Sequence, residues 1–366
     1  METQMRFSIP FLCLILIGTF TQGGAADPIR VGIRHDAKPF VYREAGEPKG
    51  FLFDLCKAVL DTSGLGYTLV DVNAANRLSW LGDEDRIDLL CDPVTVTLDR
   101  AARFQFSPIV FVSGGSFLYF DDKEQNDAIY LAGLARIEQA AADGTLTDFA
   151  GRRLVPAKNG IVTYENGDPP GADAHQTKVA PCHGIEESGR IGTIRIGVLD
   201  GSTAPEIINN ALRSGRSVIP RSGWDTVCYK VFETHQTGIA ALCSREPDSS
   251  GVPLSYYFGD RDIILSYLDT LRTDGAVDCG PVAVSDRFFS VEPYAMVYSD
   301  RVAPAEIKTL QKALLETFSA VRETTTPTGT PWRTTLPFEL FARYFPGKDP
   351  SPSLITLFKS MIVPER

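Results

Sequence analysis

The sequence lacks the short motifs of several large enzyme classes. It has no G-x-G-x-x-G run opening a helix, no G-x-x-x-x-G-K-S/T run, no H-E-x-x-H run and no G-x-S-x-G run. These absences weigh against dinucleotide binding, phosphate transfer, zinc proteolysis and serine hydrolysis, although an enzyme with another kind of site is not excluded. The four histidines are scattered and no cysteines form a C-x-x-C pair, so neither a zinc site nor any cofactor is expected.

Positive charge is also scarce. The chain carries 36 lysines and arginines against 46 aspartates and glutamates, which gives a net charge of −10. Such a chain repels a polyanion, so nucleic acid is not an expected partner. The 366 residues are 43% hydrophobic and 22% charged, which is typical of a folded protein and enough for two domain cores.

Long apolar runs are missing after the first residues of the chain. Arg6, the apolar stretch from Phe7 to Thr19 and the small residues Gly23-Gly24-Ala25 have the layout of a secretory signal peptide. Cleavage is predicted near Ala25 or Ala26, with an uncleaved membrane anchor as the alternative. We therefore expect residues 1–26 to be removed and the mature chain to be a soluble periplasmic protein.

Six cysteines remain after that segment. An even number of cysteines in an exported chain predicts disulfides, although some of them could instead be buried thiols. Six cysteines allow fifteen pairings, and the sequence does not choose among them. They are Cys56, Cys91, Cys182, Cys228, Cys243 and Cys279.

Strand and helix patterns alternate in the first part of the chain. The stretch from Ile29 to Ile33 alternates like a strand, and apolar residues from Phe51 to Val59 recur at helical spacing. Tyr67 to Val72 and Ile87 to Leu90 are predicted strands, with a short helix between them at Asn76 to Leu81. This alternation favours an α/β layer with mainly parallel strands.

A second α/β series begins at Ile194 to Val198, a predicted strand followed by a helix through Leu212. Val227 to Phe232 is a further strand, and Ile307 to Phe318 forms an amphipathic helix near the end. Two such series predict two lobes. The polar stretch from Asp121 to Gly189 between them is predicted to be a surface excursion or flexible connection.

Polar side chains follow several of the predicted strands. Thr95 and Arg100 come after one strand, Thr203 after another, and Asp260 after the strand candidate at Tyr256 to Phe258. Ligands of open α/β sheets bind at the carboxyl ends of the strands. An arginine, threonine hydroxyls and helix-start amides suit a carboxylate, and an aspartate suits an ammonium, so the set fits a zwitterion.

Each of these residues also has a simpler interpretation. Arg100 alone is equally consistent with a surface ion pair, and Thr203 with a helix N-cap. Asp260 stands beside Arg261 and can form a local salt bridge of little energy. Phe40, taken alone, is a better candidate for a core residue than for a ligand platform. The functional interpretation depends on the order and spacing of the whole set.

Short segments that keep a fixed order along the chain carry a specific resemblance: Arg30-Val31-Gly32-Ile33 with Pro39-Phe40, Gly50-Phe51 with Asp54-Leu55, Ile87 to Leu90, Thr95 to Arg100, Gly201-Ser202-Thr203, Phe258 to Arg261, and Glu292 to Ala295. The ordered set resembles the family 3 extracellular solute-binding proteins, the periplasmic amino-acid-binding components of ABC transporters. The resemblance covers about Pro28 to Leu118 and Ile194 to Phe318.

The resemblance implies a type II periplasmic-binding-protein fold, with two α/β lobes joined by a two-strand hinge. Residues 27–119 and 292–366 would form the first lobe and residues 192–291 the second, with residues 120–191 as an extended excursion between them. The implied function is capture of a small polar solute, an amino acid by expectation, followed by docking on an ABC-transporter membrane permease. A monomer is expected.

The resemblance also implies a set of ligand-binding residues. Arg100 would bind the ligand α-carboxylate with Thr95 and Thr203 assisting, and Asp260 would bind the α-ammonium. The remaining members are Asp36 at the mouth of the site, Phe40 as a wall or stacking partner, and Arg77 near the ligand side chain. Asn76-Arg77 is similar to a pattern in binders of acidic or polar amino acids, and bracing of its helix is the simpler role for Arg77.

Two departures from the family leave the ligand and the activity open. The excursion from Asp121 to Gly189 is longer than the usual crossover, and Asp92-Pro93 occupies a stretch that is commonly small and hydroxylated. The first alternative function is an enzyme on the same fold, similar to a cyclohexadienyl dehydratase, with Asp92 and Glu233 as candidate acids or bases. The second is a ligand-sensing subunit that reports to a membrane receptor.

Overall fold

The computed structural model describes most of the chain that follows the predicted signal peptide. The described residues are 27–122, 135, 139–140, 142–146, 152–156, 162–167, 179–182, 194–213, 227–245, 253–275, 278–325 and 331–360. The predicted signal peptide at residues 1–26 and most of the excursion at residues 120–191 lie outside them.

The strands in chain order are β1 (Ile29–Ile33), β2 (Asp36–Ala37), β3 (Val41–Glu44), β4 (Glu47–Lys49), β5 (Tyr67–Asp71), β6 (Leu89–Leu90), β7 (Gln105–Phe106), β8 (Phe111–Ser113), β9 (Gly115–Phe120), β10 (Leu154–Pro156), β11 (Val162–Tyr164), β12 (Ala180–Pro181), β13 (Ile194–Leu199), β14 (Val227–Phe232), β15 (Tyr256–Asp260), β16 (Val282–Val284), β17 (Glu292–Tyr294), β18 (Val297–Tyr298), β19 (Val321–Thr325) and β20 (Pro331–Thr335). The helices are α1 (Phe51–Ser63), α2 (Arg77–Leu81), α3 (Leu98–Ala101), α4 (Ala204–Arg213), α5 (His235–Ser244), α6 (Arg261–Asp274), α7 (Pro304–Ser319), α8 (Leu336–Tyr344) and α9 (Pro352–Ser360).

The first sheet has the strand order β5-β1-β6-β18-β7. Strand β1 is parallel to both β5 and β6, and β18 returns antiparallel between β6 and β7. Helix α1 buries the apolar face that its spacing predicted, ends at Gly64 in the left-handed region and packs against α7. The predicted strands and helices of this series are confirmed, with boundaries that differ by a few residues.

The second sheet has the strand order β12-β14-β13-β15-β9-β16. Strand β13 is buried along its whole length because it lies between two parallel neighbours, β14 and β15. Helices α4 and α6 start directly beyond the carboxyl ends of β13 and β15. Their first turns therefore lie at the edge of the sheet where parallel α/β folds bind ligands.

The chain crosses between the sheets through an antiparallel pair. Strand β8 pairs with β17, placing Val112 opposite Pro293. After Gly114 the chain enters β9, which pairs with β15 in the second sheet. The predicted first lobe extended to residue 119, whereas the structure places Gly115–Phe120 in the second sheet. The reason is that Phe117 and Leu118 are buried there.

Six cysteines form three disulfides: Cys56 with Cys91, Cys182 with Cys228, and Cys243 with Cys279. The first joins α1 to the residue after β6, the second joins the end of β12 to β14, and the third joins α5 to the loop before β16. Each crosslink therefore holds two different elements of one lobe together. Among the described residues, no helix is both long and apolar enough to cross a bilayer.

Replacing both Cys243 and Cys279 by serine removes a crosslink between residues 36 apart in sequence. The variant should lose about 2–4 kcal/mol in free energy of unfolding, because the unfolded chain regains the freedom that the crosslink removes. Urea unfolding followed by circular dichroism measures the loss. Peptide mapping of the unreduced wild type, with the reduced protein as control, should recover the three pairs; any other pairing contradicts this arrangement.

Candidate functional site

A cavity lies where the carboxyl-end edges of the two sheets face each other. It measures about 40 Å³ and is lined by both lobes and the crossover strand β17. Its walls combine cationic, anionic and hydroxyl side chains with a few apolar ones. The lining residues are Arg34, Arg77, Pro93, Thr95, Arg100, Leu199, Ser202, Thr203, Ala204, His235, Phe258, Gly259, Asp260, Ile263, Glu292 and Tyr294.

Arg100 reaches the cavity from the short helix α3 of the first lobe. The Thr97 hydroxyl accepts the Arg100 backbone N–H and caps this helix. The guanidinium donates from Nη1 to the Thr95 carbonyl oxygen at 3.1 Å, and from Nη2 to the Gly201 carbonyl oxygen at 3.4 Å. Burial lowers the pKa of Arg100, while the negative charges of Glu292 and Asp92 oppose that shift. A cation thus spans the gap between the lobes.

The second lobe faces Arg100 with the N-terminus of α4. The Thr203 carbonyl oxygen accepts the Glu206 and Ile207 N–H groups that begin the helix, and the Ser202 hydroxyl donates to the Leu199 carbonyl oxygen. Gly201 has a φ of 62°, and a Cβ there would lie 2.5 Å from the Ala74 carbonyl oxygen of the first lobe. The absence of a side chain thus lets the backbones of the two lobes approach. A helix start of this kind favours an anion beside it.

Acidic side chains line another part of the cavity. Asp260 is the N-cap of α6, and its Oδ1 accepts the backbone N–H groups of Asp262 and Ile263. The Tyr294 hydroxyl donates to Oδ2, and Glu292 accepts the Thr95 hydroxyl at 3.0 Å. Burial first, and then the charges of Asp262 and Glu292, raise the pKa of Asp260 from 3.8 to about 7. An additional positive charge beside these carboxylates would be stabilised.

Two buried arginines, Arg34 and Arg77, line the floor of the cavity. Arg77 Nε lies 3.0 Å from Asp92 Oδ2, and Arg34 Nη1 lies 3.7 Å from Asp92 Oδ1. Arg34 Nε also donates to Asp36 Oδ1 at 2.8 Å. Burial lowers the pKa of Arg77 to about 10, whereas in Arg34 the charges of Asp92 and Asp36 outweigh burial and raise the pKa. The floor is thus an ion-pair network contributed by the first lobe.

His235 closes the floor from the second lobe. It is the first residue of α5, and its Nδ1 is hydrogen-bonded to the Tyr257 hydroxyl at 2.9 Å. Burial first, and then the positive charges of Arg34 and Arg77, lower the pKa of His235 to about 3. The ring is therefore neutral at physiological pH and adds no charge to the arginines beside it.

Five of the seven residues predicted for the site line this one cavity: Arg77, Thr95, Arg100, Thr203 and Asp260. The structure does not bring Phe40 or Asp36 to the wall. Phe40 is fully buried in the first-lobe core, with its ring centroid 4.9 Å from that of Phe111. The Asp36 carboxylate is held by Arg34 behind the lining.

Sequence reasoning missed Arg34, His235, Glu292 and Tyr294 as lining residues. Arg34 directly follows β1, so the rule that ligands bind at strand carboxyl ends was sufficient to find it. Glu292 and Tyr294 stand in a segment that carries the family resemblance. His235 has no comparable signal, since its place in the cavity depends on how the second lobe packs over the first. Among the described residues, no group of side chains is arranged to hold a metal ion.

The sequence matches the bacterial extracellular solute-binding proteins, family 3, over residues 29–330. No curated protein has a matching sequence. Among solved structures, the arginine-, lysine-, histidine-binding protein ArtJ from Geobacillus stearothermophilus is 17% identical, with a TM-score of 0.51 over 91% of this chain and 100% of that one.

Two ancestral proteins have similar structures. An ancestral arginine-binding protein bound to glutamine is 16% identical, with a TM-score of 0.50 over 87% of this chain and 97% of that one. The ancestral amino acid-binding protein AncCDT-1, a precursor of cyclohexadienyl dehydratase, is 15% identical, with a TM-score of 0.50 over 87% of this chain and 95% of that one. At these identities the likeness shows the fold: two lobes of the type II periplasmic-binding-protein kind.

The raised pKa of Asp260 has a measurable consequence for stability. Between about pH 4 and pH 7 the folded protein keeps a proton on Asp260 that the unfolded chain has released. The stability contributed by this group is therefore full at low pH and falls by up to about 1.4 kcal/mol per pH unit as the pH rises toward 7. Asp260→Asn should lack this slope in urea unfolding measured from pH 4 to pH 8.

The control for that measurement is Asp286→Asn, which removes a fully exposed carboxylate paired with Arg261. The control variant should keep the wild-type pH profile. A stability difference between wild type and Asp260→Asn that stays constant from pH 4 to pH 8 would contradict the raised pKa.

Proposed function

Because the chain belongs to the bacterial extracellular solute-binding proteins of family 3, we propose that it captures a free amino acid between its lobes and delivers it to an ABC-transporter permease. One observation carries this proposal. Arg100 from the first lobe and Asp260 from the second lie on the walls of one cavity. A zwitterion carries the two opposite charges that such a pair of walls accommodates.

The carboxylate end of the ligand binds Arg100. A guanidinium offers parallel N–H donors to a carboxylate, and the start of α4 at Ser202 and Thr203 adds hydroxyl groups and the positive end of a helix. In the structure, Arg100 Nη2 donates to the Gly201 carbonyl oxygen of the opposite lobe. A ligand carboxylate takes over that role as the bridge between the lobes.

The ammonium end binds among the acidic residues. Asp260 accepts two backbone N–H groups at Oδ1, and its Oδ2 accepts from the Tyr294 hydroxyl, so the carboxylate is held in a fixed orientation. Glu292 lies beside it, since the Tyr294 hydroxyl also lies 3.5 Å from Glu292 Oε2. An arriving ammonium stabilises the ionised form of Asp260 and lowers its pKa again.

Binding requires the lobes to separate. The cavity of about 40 Å³ is narrow and is lined by residues of both lobes. The ligand therefore enters an open form and stabilises closure, because only the closed form lets Arg100 and Asp260 contact it together. The crossover pair β8–β17 accommodates this rotation.

Binding is favoured here over catalysis. Of the two acid or base candidates considered from sequence, Asp92 is buried in ion pairs with Arg34 and Arg77, and Glu233 is exposed away from the cavity wall. Neither is placed to transfer a proton to a ligand in the cavity.

We infer that the mature chain acts in the periplasm as a monomer, and that deleting it abolishes uptake of its solute. Unchanged uptake would support sensing instead of transport.

Arg100→Ala should weaken binding of the best amino acid ligand by about 30-fold or more, because removing one partner of a buried charge pair leaves the ligand carboxylate uncompensated. A thermal-shift screen of the mature protein against L-amino acids identifies the ligand, and isothermal titration calorimetry measures the loss of affinity.

Arg103→Ala is the matched control for this test. Arg103 lies three residues further along, is exposed and pairs with Asp83 at 3.6 Å on the surface. This variant should bind with wild-type affinity. If Arg100→Ala binds the amino acid as tightly as Arg103→Ala does, the carboxylate is not held by Arg100.

A further inference from the structure

The floor of the cavity is made of positive side chains whose charge is already compensated. Arg34 and Arg77 both line the cavity, and they are 1% and 3% exposed. Asp92 lies behind them, 2% exposed and absent from the lining, within 4 Å of both guanidinium groups. Asp36 pairs with Arg34 from the other side. Two positive charges thus face two negative charges.

The side chains that cover the floor from α5, β15 and α6 of the second lobe add no charge to this balance. His235, which covers the floor from the second lobe, is neutral because burial and the neighbouring arginines lower its pKa to about 3. The hydroxyls of Tyr257 and Tyr267 are also close and stay protonated, since burial raises their pKa values. The floor is therefore rich in N–H groups and carries no net charge.

Two guanidinium nitrogens of the floor make no hydrogen bond among the described residues, Arg77 Nε and Arg34 Nη2, and Arg77 Nε lies in an ion pair with Asp92. Arg34 Nη2 is buried and makes no hydrogen bond within the described part of the chain, although Arg34 lines the cavity. A buried donor left unsatisfied destabilises a structure by about 1–3 kcal/mol, so such a group favours a ligand that brings an acceptor. The floor consequently favours a ligand whose side chain carries a hydrogen-bond acceptor.

We propose that Asp92 determines the charge of the side chain that this site accepts, and that it selects an amino acid with a neutral acceptor, such as an amide, over one with a second carboxylate. This proposal rests on the proposed function, in which an amino acid binds with its α-groups at Arg100 and Asp260. Asp92 acts as an internal counter-ion that compensates positive charge on the floor before any ligand binds.

The reason is the energetics of buried charge. A ligand carboxylate on the floor would bring three negative charges against two positive ones, and an uncompensated charge in a buried site is strongly unfavourable. A ligand ammonium or guanidinium on the floor would face the donor groups of Arg34 and Arg77, because the carboxylates of Asp92 and Asp36 that pair with them lie behind the lining. An amide oxygen satisfies the Arg34 N–H without changing the charge balance.

The test compares L-glutamine with L-glutamate, and L-asparagine with L-aspartate, because the members of each pair differ in side-chain charge and hardly in shape. Calorimetric titration of the wild type should show tighter binding of the amide in at least one pair. Asp92→Asn removes one negative charge at nearly constant volume and leaves a net positive floor. The affinity ratio of acid to amide should then rise about tenfold or more.

Two further variants distinguish an effect of buried charge on the affinity ratio from an effect of damage to the fold. Asp92→Asn combined with Arg77→Gln restores a neutral floor, and its acid-to-amide ratio should return toward the wild-type value. Asp83→Asn removes an exposed carboxylate that pairs with Arg103 on the surface, and its ratio should not change. The double variant carries no excess buried charge, so it remains informative if Asp92→Asn alone folds poorly.

The outcomes distinguish the two proposals. A wild type that binds the dicarboxylate more tightly than the amide overturns the role of Asp92 while leaving amino-acid capture intact. A folded Asp92→Asn protein with an unchanged acid-to-amide ratio does the same. A wild type that binds none of the L-amino acids in the screen overturns the proposed function, and the inference about Asp92 with it.

Discussion

Charge buried between the two lobes has to be compensated, and this requirement accounts for the arrangement of polar groups around the cavity. Arg34 and Arg77 are accompanied by Asp92 and Asp36, and Asp260 is held by helix N–H groups and the Tyr294 hydroxyl. Arg100 has only backbone carbonyl partners at hydrogen-bond distance in the described structure. Arg100 is accordingly the cation best placed to receive an anion from outside.

The fold provides the position of these groups. Parallel strands in both sheets direct their carboxyl ends to one cleft, so loops that are far apart in sequence meet there. Arg100 and the Gly201 carbonyl oxygen are 101 residues apart and lie within 3.4 Å of each other. The antiparallel pair of β8 with β17 links the lobes beside this contact. Under the proposed function, closure and ligand binding are therefore parts of one rearrangement.

The elements that could be predicted from sequence are those with a strong local pattern. Strands β1, β5, β6, β13, β14 and β15 and the helix at Pro304–Ser319 follow from apolar spacing. Thr95, Arg100, Thr203 and Asp260 were predicted because of their places at strand ends, and the structure places all four in the lining of one cavity. Phe40 lies in the core, where it packs on Phe111, because an aromatic residue serves equally well there. The disulfide pairing and the place of His235 depend on tertiary contacts that no local pattern contains.

The central claim is that the cavity recognises both charged α-groups of an amino acid, and ligands with one group removed test it most directly. Titration calorimetry with L-glutamine, with 4-aminobutanamide, which lacks the carboxylate, and with glutaramic acid, which lacks the amine, measures each contribution. The account predicts that either truncation weakens binding by about 30-fold or more. If L-glutamine binds and a truncated analogue binds as tightly, recognition of a zwitterion by Arg100 and Asp260 is contradicted.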